Sequence, residues 1–176
     1  NTEPLKELLP FFDVIKVDLK GFNLEFYNDV VGGDLDNVLN TLVTIRKNSK
    51  VILEVVNLVV PGLNDKTDEI TRMCKWIKEN LGTDTPLFFS RFYPNYKMQN
   101  LPSTPISTLQ KLREIAMKEG LNYVYIGNVT GDPGESTYCP KCKKVVIKRE
   151  GYSVLQNNLV GGKCKFCGNK IPGIWK

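Results

Sequence analysis

Two cysteine pairs near the C-terminus constrain the fold more than any other feature of this chain. They occupy Cys139–Cys142 (CPKC) and Cys164–Cys167 (CKFC), with 21 residues between them. Each C-x-x-C turn can direct two thiolates at one ion, and two such turns complete the tetrahedral four-sulfur shell that suits Zn²⁺. The spacing is slightly longer than the usual ~15–20 residues, but a hairpin can span it. The pattern predicts a zinc ribbon with Cys139, Cys142, Cys164 and Cys167 as ligands.

Three other roles for the four thiols stay open: redox dithiols, structural disulfides and ligation of an iron–sulfur cluster. A redox motif should open a helix after a strand, whereas Pro140 and the surrounding lysines indicate turns. Iron–sulfur clusters usually draw on tighter groups of cysteines. Gly168 follows the second pair, where such a turn often needs a positive φ, and Lys143 holds that place after the first. We therefore favour zinc, in a structural and not a catalytic role.

The composition is that of an ordinary globular protein that contains no histidine. The 176 residues, 41% hydrophobic and 24% charged, are enough for one domain and a small appendage. No apolar run reaches the ~20 residues of a membrane span, and no signal peptide is visible. Cysteines in metal-type pairs favour a reducing cytoplasm, and Cys74 is expected to be a packing residue. The absence of histidine excludes any mechanism that needs an imidazole from this chain.

The net charge of +5 is concentrated around the cysteine pairs. The basic residues there are Lys141, Lys143, Lys144, Lys148, Arg149, Lys163, Lys165, Lys170 and Lys176. Such a cluster can be a nucleic-acid footprint. It is more often a solvated face, and here it would partly offset the formal −2 charge of a Zn(Cys)₄ centre.

Strand and helix patterns alternate along the first 126 residues. β-rich runs occupy residues 13–19, 51–60, 87–92 and 123–126, and helical periods or helix signals occupy 35–47, 67–80 and 103–119. This order predicts an α/β fold of parallel strands, either part of a β/α barrel or a doubly wound sheet. We expect domains at residues 1–130 and 131–176. Because Asn1 is followed almost at once by a helix, we also expect the chain to be part of a longer protein.

Chemistry is expected where the parallel strands end. Lys16, Asp18 and Lys20 share one face of the first strand, and Asp18 and Lys20 are the preferred mouth residues. Glu54 in the apolar second strand needs a partner, for which a lysine of the first strand is the natural candidate. Arg91 is expected either to clamp an anion or to form a structural ion pair. Asn128, after the last strand, is expected either to contact a ligand or to form a turn.

Five stretches of the chain together resemble a known enzyme family. They read VIKVDLKGFN, LEVVNLVVPGLND, FFSRFYPNYKM, YVYIGNV and TYCPKC…CKFCG…IPGIW. In this order they resemble the C-terminal half of the AmmeMemoRadiSam-system radical SAM enzymes, relatives of the pyruvate formate-lyase activating enzymes. The resemblance covers nearly the whole chain.

The resemblance implies the C-terminal half of a partial (β/α) radical SAM barrel, followed by the ribbon. It implies a [4Fe-4S] cluster that cleaves S-adenosylmethionine to a 5′-deoxyadenosyl radical. Asp18 and Lys20 match a D-x-K that contacts the cofactor in the activating enzymes, and Leu58 to Val60 match the strand against the adenosyl group. Tyr93 stands where those enzymes have a histidine that contacts the cofactor. The resemblance assigns no catalytic residue in this chain.

The cluster-binding C-x-x-x-C-x-x-C motif of the family is absent from these 176 residues. We therefore expect the chain by itself to be inactive, and a longer parent to carry the cluster. The resemblance implies S-adenosylmethionine as a partner and allows a protein substrate or a Memo-like partner. The alternative is a binding module, in which a zinc ribbon docks a partner protein or nucleic acid. The sequence favours the enzyme, because a ribbon module needs neither the charged strand face nor the alternating β/α units. Nucleic acid is the less expected partner.

Overall fold

The computed structural model describes residues 2–175. The helices are α1 (Thr2–Leu8), α2 (Leu24–Phe26, continued by one π-helical turn, Tyr27–Val31), α3 (Leu35–Asn48), α4 (Thr67–Asn80) and α5 (Ile106–Lys118). The strands are β1 (Val14–Asp18), β2 (Ile52–Val59), β3 (Leu87–Arg91), β4 (Val124–Gly127), β5 (Thr137–Tyr138), β6 (Val145–Glu150), β7 (Ser153–Asn157), β8 (Leu159–Val160) and β9 (Lys163–Cys164). Short 3₁₀ turns lie at Leu9–Phe11, Tyr96–Met98 and Pro133–Glu135.

The first four strands form one parallel sheet in the order β1-β2-β3-β4. Asp18 pairs with Val56, Val56 with Phe88, and Phe88 with Tyr125, so these four residues form one row across the sheet. Helices connect the strands, as parallel neighbours require. The α/β fold with parallel strands, predicted from the alternating pattern, is confirmed.

The two faces of the sheet differ in how they are covered. Along β2 the residues alternate between buried and half-buried. The buried face, which includes Leu53 and Val55, packs with helix residues such as Leu42 and Ile77 in one large apolar core. The opposite face, which we call the open face, carries Lys16, Glu54, Phe88 and Tyr125. Its charged and half-exposed residues are tolerated because helices do not cover it.

The segment before α4 differs from the sequence-based expectation. The sequence offers Asn64 or Asp65 as the cap of this helix, but its N-cap residue is Lys66, which provides no side-chain cap. The Asp65 carboxylate instead accepts the backbone N–H of Gly62 at 3.0 Å. Asn64 is fully buried and bonds to the ends of the strands. The cap prediction was wrong because tertiary partners compete for the same side chains.

The C-terminal part is a small antiparallel unit that packs against β4. β5, β6 and β7 form a three-stranded sheet, and β8 pairs with β9. A second apolar cluster joins Tyr123 of the parallel sheet to Val146, Ile171 and the cysteines, with Tyr125 packed against it. In residues 2–175, no helix combines the length and the apolar character needed to cross a membrane.

Candidate functional site

The four ribbon cysteines converge on one point. All four Sγ atoms lie within 4.8 Å of one another. The Sγ atoms of Cys139 and Cys167 are 3.6 Å apart, and those of Cys142 and Cys164 are 3.7 Å apart. A tetrahedral Zn²⁺ site with Zn–S bonds of about 2.3 Å has sulfur atoms about 3.8 Å apart. The donor set and its spacing therefore fit one four-coordinate metal ion such as zinc.

The two cysteine turns have the same backbone geometry despite different sequences. Lys143 has φ +60°, and Gly168, at the equivalent place, has φ +71°. The Lys143 N–H bonds the Cys139 carbonyl at 2.9 Å, and the Gly168 N–H bonds the Cys164 carbonyl at 2.8 Å. The sequence-based prediction of a left-handed residue after the second pair is thus met. The first turn achieves the same geometry with a lysine, at a steric cost that glycine avoids.

Lysines lie both within the metal-binding turns, at Lys141 and Lys165, and beside them. The ammonium groups of Lys144 and Lys165 lie 4.8 and 5.1 Å from the ring centroid of Phe166. These contacts hold positive charge near the four thiols, where a Zn(Cys)₄ centre carries a formal −2 charge. Cys74 lies apart from the ribbon, in the core of the parallel domain, and desolvation by burial raises the pKa of its thiol to about 12. Its predicted packing role agrees with this placement.

Asp18 and Lys20 lie at the C-terminal edge of the parallel sheet. Their charged groups form an ion pair of 2.9 Å, with about half of the Asp18 side chain and a third of the Lys20 side chain exposed. Asp18 points away from the helix-covered face, as the two-residue period predicts. Neither residue lines the trough described below, and their predicted role at the mouth of a binding site stays a prediction.

Glu54 finds the partner expected for it. Its carboxylate lies 3.6 Å from the ammonium of Lys16, across the β1–β2 register. The same ammonium lies 4.9 Å from the ring centroid of Phe88. Both charges belong to the open face, where solvent reduces the cost of holding them.

A buried asparagine ties together the two loops that hold the predicted cofactor contacts. Asn64 Nδ2 donates to the carbonyl oxygens of Lys20 and Leu58, and Asn64 Oδ1 accepts the N–H of Val60 at 2.7 Å. Leu58 is half-buried on the open face, whereas Val60 is buried. Sequence reasoning missed this role, because it considered Asn64 only as a cap for α4.

The end of β3 is organised around Arg91. Its Nε donates to the Thr104 carbonyl at 2.9 Å, and its NH1 group donates to the Tyr93 hydroxyl at 3.0 Å. Among the described residues no carboxylate forms an ion pair with Arg91, and the anion clamp stays a prediction. Asn128, with φ +59°, donates its side-chain amide to the Arg91 carbonyl, which is the turn role considered for it. Tyr93 is half exposed and reaches the Asn128 carbonyl at 3.4 Å.

A trough runs between the open face and the ribbon strand β6. It consists of two adjoining grooves of about 410 and 580 Å³, which share Phe88, Tyr125, Glu135 and Arg149 as lining residues. One end lies at Trp175 and the other at Tyr93 and Asn128. Sequence reasoning did not identify the trough, because its walls come from segments far apart in the chain.

Comparisons with known proteins support the fold and leave the activity open. No family model matches the chain. The chain is 43% identical over 171 residues to an uncharacterized protein of Methanocaldococcus jannaschii, in a match that covers 96% of this chain and 50% of the relative. It therefore spans about half the length of the curated relative it matches.

One solved structure with a similar fold is a domain of a pyruvate-formate lyase-activating enzyme from Bacteroides vulgatus. The TM-score is 0.63 at 12% sequence identity, and the match covers 73% of this chain and 75% of that chain. The two folds are alike. At this level of identity, the likeness concerns the fold alone.

Proposed function

We propose that this chain is the C-terminal half of a radical SAM enzyme of the AmmeMemoRadiSam-system type. Residues 1–130 would form half of a β/α barrel, and residues 131–176 a Cys₄ zinc ribbon. The whole enzyme would act in the cytoplasm with S-adenosylmethionine, and with either a protein substrate or a Memo-like partner. No catalytic residue is assigned within this chain.

The observation that carries the proposal is the grouping of motif residues at one edge of the parallel sheet. Asp18 and Lys20 form an ion pair after β1, and Asn64 holds the Lys20 and Leu58 loops together. Tyr93 follows the neighbouring strand β3. Ligands of open parallel sheets bind at the carboxyl ends of the strands. The fold likeness to an activating-enzyme domain adds independent support.

These residues fit one part of the cofactor set. The Asp18 carboxylate can accept hydrogen bonds from ribose hydroxyls, and Leu58 and Val60 offer an apolar contact for an adenine ring. The cluster, when bound, would supply the electron that cleaves S-adenosylmethionine. Its ligands cannot be the ribbon cysteines, because a four-thiolate zinc shell leaves no open position. The remaining cysteine, Cys74, is buried in the core. The cluster is therefore assigned to residues of a longer parent.

The test compares the parent protein with this chain. Reconstituted with iron and sulfide without oxygen, the parent should form 5′-deoxyadenosine from S-adenosylmethionine, and the 176-residue chain should form none. In the parent, Asp18→Ala should weaken S-adenosylmethionine binding by about 10-fold or more, because a charge-assisted hydrogen bond is lost. The cluster absorbance should not change.

Asp13→Ala is the matched control. Asp13 is an exposed aspartate at the opposite end of β1, and its replacement should leave cofactor binding unchanged. If both variants lost the same affinity for S-adenosylmethionine, Asp18 would not be a specific cofactor contact. Formation of 5′-deoxyadenosine by the 176-residue chain would refute the assignment of the cluster to a longer parent.

A second candidate function rests on charge. Nine basic residues and three acidic ones (Asp132, Glu135 and Glu150) lie in residues 131–176. This excess favours a ribbon that docks an acidic partner protein or nucleic acid. Binding of generic RNA or DNA that weakens steeply with salt would support this second function.

A further inference from the structure

We propose that the trough between the open face and β6 binds a small aromatic carboxylate, with Arg149 as the residue that pairs with the carboxylate group. The ligand is distinct from S-adenosylmethionine, and its binding requires no radical chemistry. Failure of this proposal would therefore leave the proposed function standing. Four features of the trough carry it.

The first feature is a guanidinium group held in place without a counter-ion. Arg149 is half-buried, and its NH1 group donates to the Thr137 hydroxyl at 2.6 Å. That hydroxyl also shares a hydrogen bond of 3.1 Å with the Tyr125 hydroxyl. Within residues 2–175, no carboxylate oxygen lies within 4.0 Å of the guanidinium. Arg149 thus presents a fixed positive charge to the trough.

The second feature is that the three carboxylates lining the trough, Glu54, Asp84 and Glu135, already have partners. Asp84 accepts a hydrogen bond of 2.7 Å from the side-chain amide of Asn122. Glu135 accepts the backbone N–H of Gly131 at 2.8 Å and that of Gly151 at 3.0 Å. Glu54 pairs with Lys16. None of these carboxylate oxygens lies within 4.0 Å of the Arg149 guanidinium, so the charge that Arg149 presents at its place in the trough is positive. An anion is the ligand that this charge selects, and a carboxylate matches the planar fork of a guanidinium.

The third feature is an aromatic floor. The rings of Phe88 and Tyr125 are stacked with centroids 4.7 Å apart and planes 19° apart, and both are half-buried. Because their faces are stacked on each other, the two rings offer ring edges to the trough, which Arg149 also lines. A planar aromatic ring can lie across these edges in the edge-to-face arrangement that aromatic pairs favour, which a puckered aliphatic ring cannot adopt.

The fourth feature is a buried hydroxyl that has no partner. Tyr123 is 5% exposed and lines the groove, and its hydroxyl has no hydrogen-bond partner among the described residues. A buried polar group without a partner is costly, and native structures usually satisfy it. A polar substituent on the ligand, such as a ring hydroxyl, would satisfy it here.

The experiment uses 4-hydroxyphenylacetate as the probe and 4-hydroxyphenylacetamide as its neutral counterpart. Binding to the 176-residue chain, loaded with zinc, is measured by titration calorimetry and by ligand-observed NMR. The acid should bind about tenfold more tightly than the amide, since only the acid forms a charge-assisted pair with Arg149. Cyclohexylacetate, which keeps the charge without the planar ring, should bind more weakly than the aromatic acid.

Arg149→Gln should reduce binding of the acid to the level of the amide, and Arg149→Lys should keep part of the preference. Lys148→Gln is the matched control, because it removes the same charge from the exposed neighbouring residue of β6. It should leave the preference for the acid within about twofold. If Arg149→Gln does not fold, the acid–amide comparison on the unaltered chain decides. Equal binding of acid and amide, no binding of the acid, or equal loss in the Lys148 control would overturn the proposal.

Discussion

The side-chain amide of Asn64 donates a 2.9 Å hydrogen bond to the backbone carbonyl of Leu58. The same side chain also bonds the Lys20 carbonyl and the Val60 N–H. One buried residue thereby fixes the loop after β1 to the end of β2. The relative position of the Asp18–Lys20 segment and the Leu58–Val60 segment depends on this residue.

Asn64→Ala should destabilise the chain by roughly 2–4 kcal/mol, because it leaves buried backbone groups without partners. Asn64→Asp should be no better, since it keeps the acceptor for Val60 but turns a carboxylate oxygen toward two carbonyls. Urea denaturation measures both. Asn40→Ala, at an exposed amide on α3, should change the free energy of unfolding by about 0.5 kcal/mol or less. An Asn64→Ala effect as small as that of the control would contradict the proposed role.

The ribbon should bind one equivalent of metal through Cys139, Cys142, Cys164 and Cys167, at Zn–S distances of about 2.3 Å measurable by X-ray absorption. Cys164→Ser should lower the metal content and unfold the ribbon locally, because metal binding contributes directly to folding of such units. The far-UV signal of the parallel domain should be largely retained. The control is Cys74→Ala, which removes the cysteine that lies outside the two C-x-x-C pairs. This variant should keep the metal. Less than half an equivalent of zinc plus iron in the unaltered protein would refute the site.

Lys143→Gly should stabilise the metal-loaded protein by up to about 1 kcal/mol, because glycine adopts the left-handed conformation without a clash. The reciprocal change, Gly168→Lys, should cost a similar amount. Thermal unfolding in the presence of zinc compares the two. A loss of stability in Lys143→Gly larger than that in Gly168→Lys would show that the lysine side chain, and not its backbone angle, matters in the first turn.

Stability should fall at alkaline pH through Cys74. Burial, with a smaller contribution from Glu119, raises the pKa of its thiol to about 12, above the ordinary value near 9. The unfolded chain loses this proton above about pH 9, whereas the folded chain keeps it. The contribution of the Cys74 thiol to the free energy of unfolding is therefore complete below pH 9. It is lost as the pH rises toward 12, by at most about 1.4 kcal/mol per pH unit.

Urea denaturation of the unaltered chain and of Cys74→Val at pH 8 and pH 10 checks this expectation. The valine variant should show a smaller loss between the two pH values, since the other ionisable groups are common to both proteins. Identical pH dependence would mean that the Cys74 thiol is not buried as the structure has it.

The local features of this protein were accessible from sequence. The C-x-x-C pairs predicted the thiol cluster, because two ligands lie close together in each turn. One metal ion then has to bring together only two turns. The strand and helix order followed from the apolar periods, which record which face of each element is buried. The Lys16–Glu54 pair also followed, because a charged residue in an apolar strand needs a neighbour of opposite sign on the adjacent strand.

Only the tertiary structure decided the roles of Asn64, Arg91 and Arg149. Asn64 bonds to backbone N–H and carbonyl groups. Because nearly every residue type carries these groups, the sequence does not show which residues Asn64 will contact. Arg91 was expected either to clamp an anion or to form an ion pair, and the structure shows its guanidinium donating to a carbonyl and a hydroxyl. Arg149 donates to Thr137 within the ribbon, and Thr137 meets Tyr125 of β4 only because the ribbon packs on the sheet. Sequence encodes local geometry and periodicity directly, whereas the partners of a polar side chain depend on which distant segments the fold brings together.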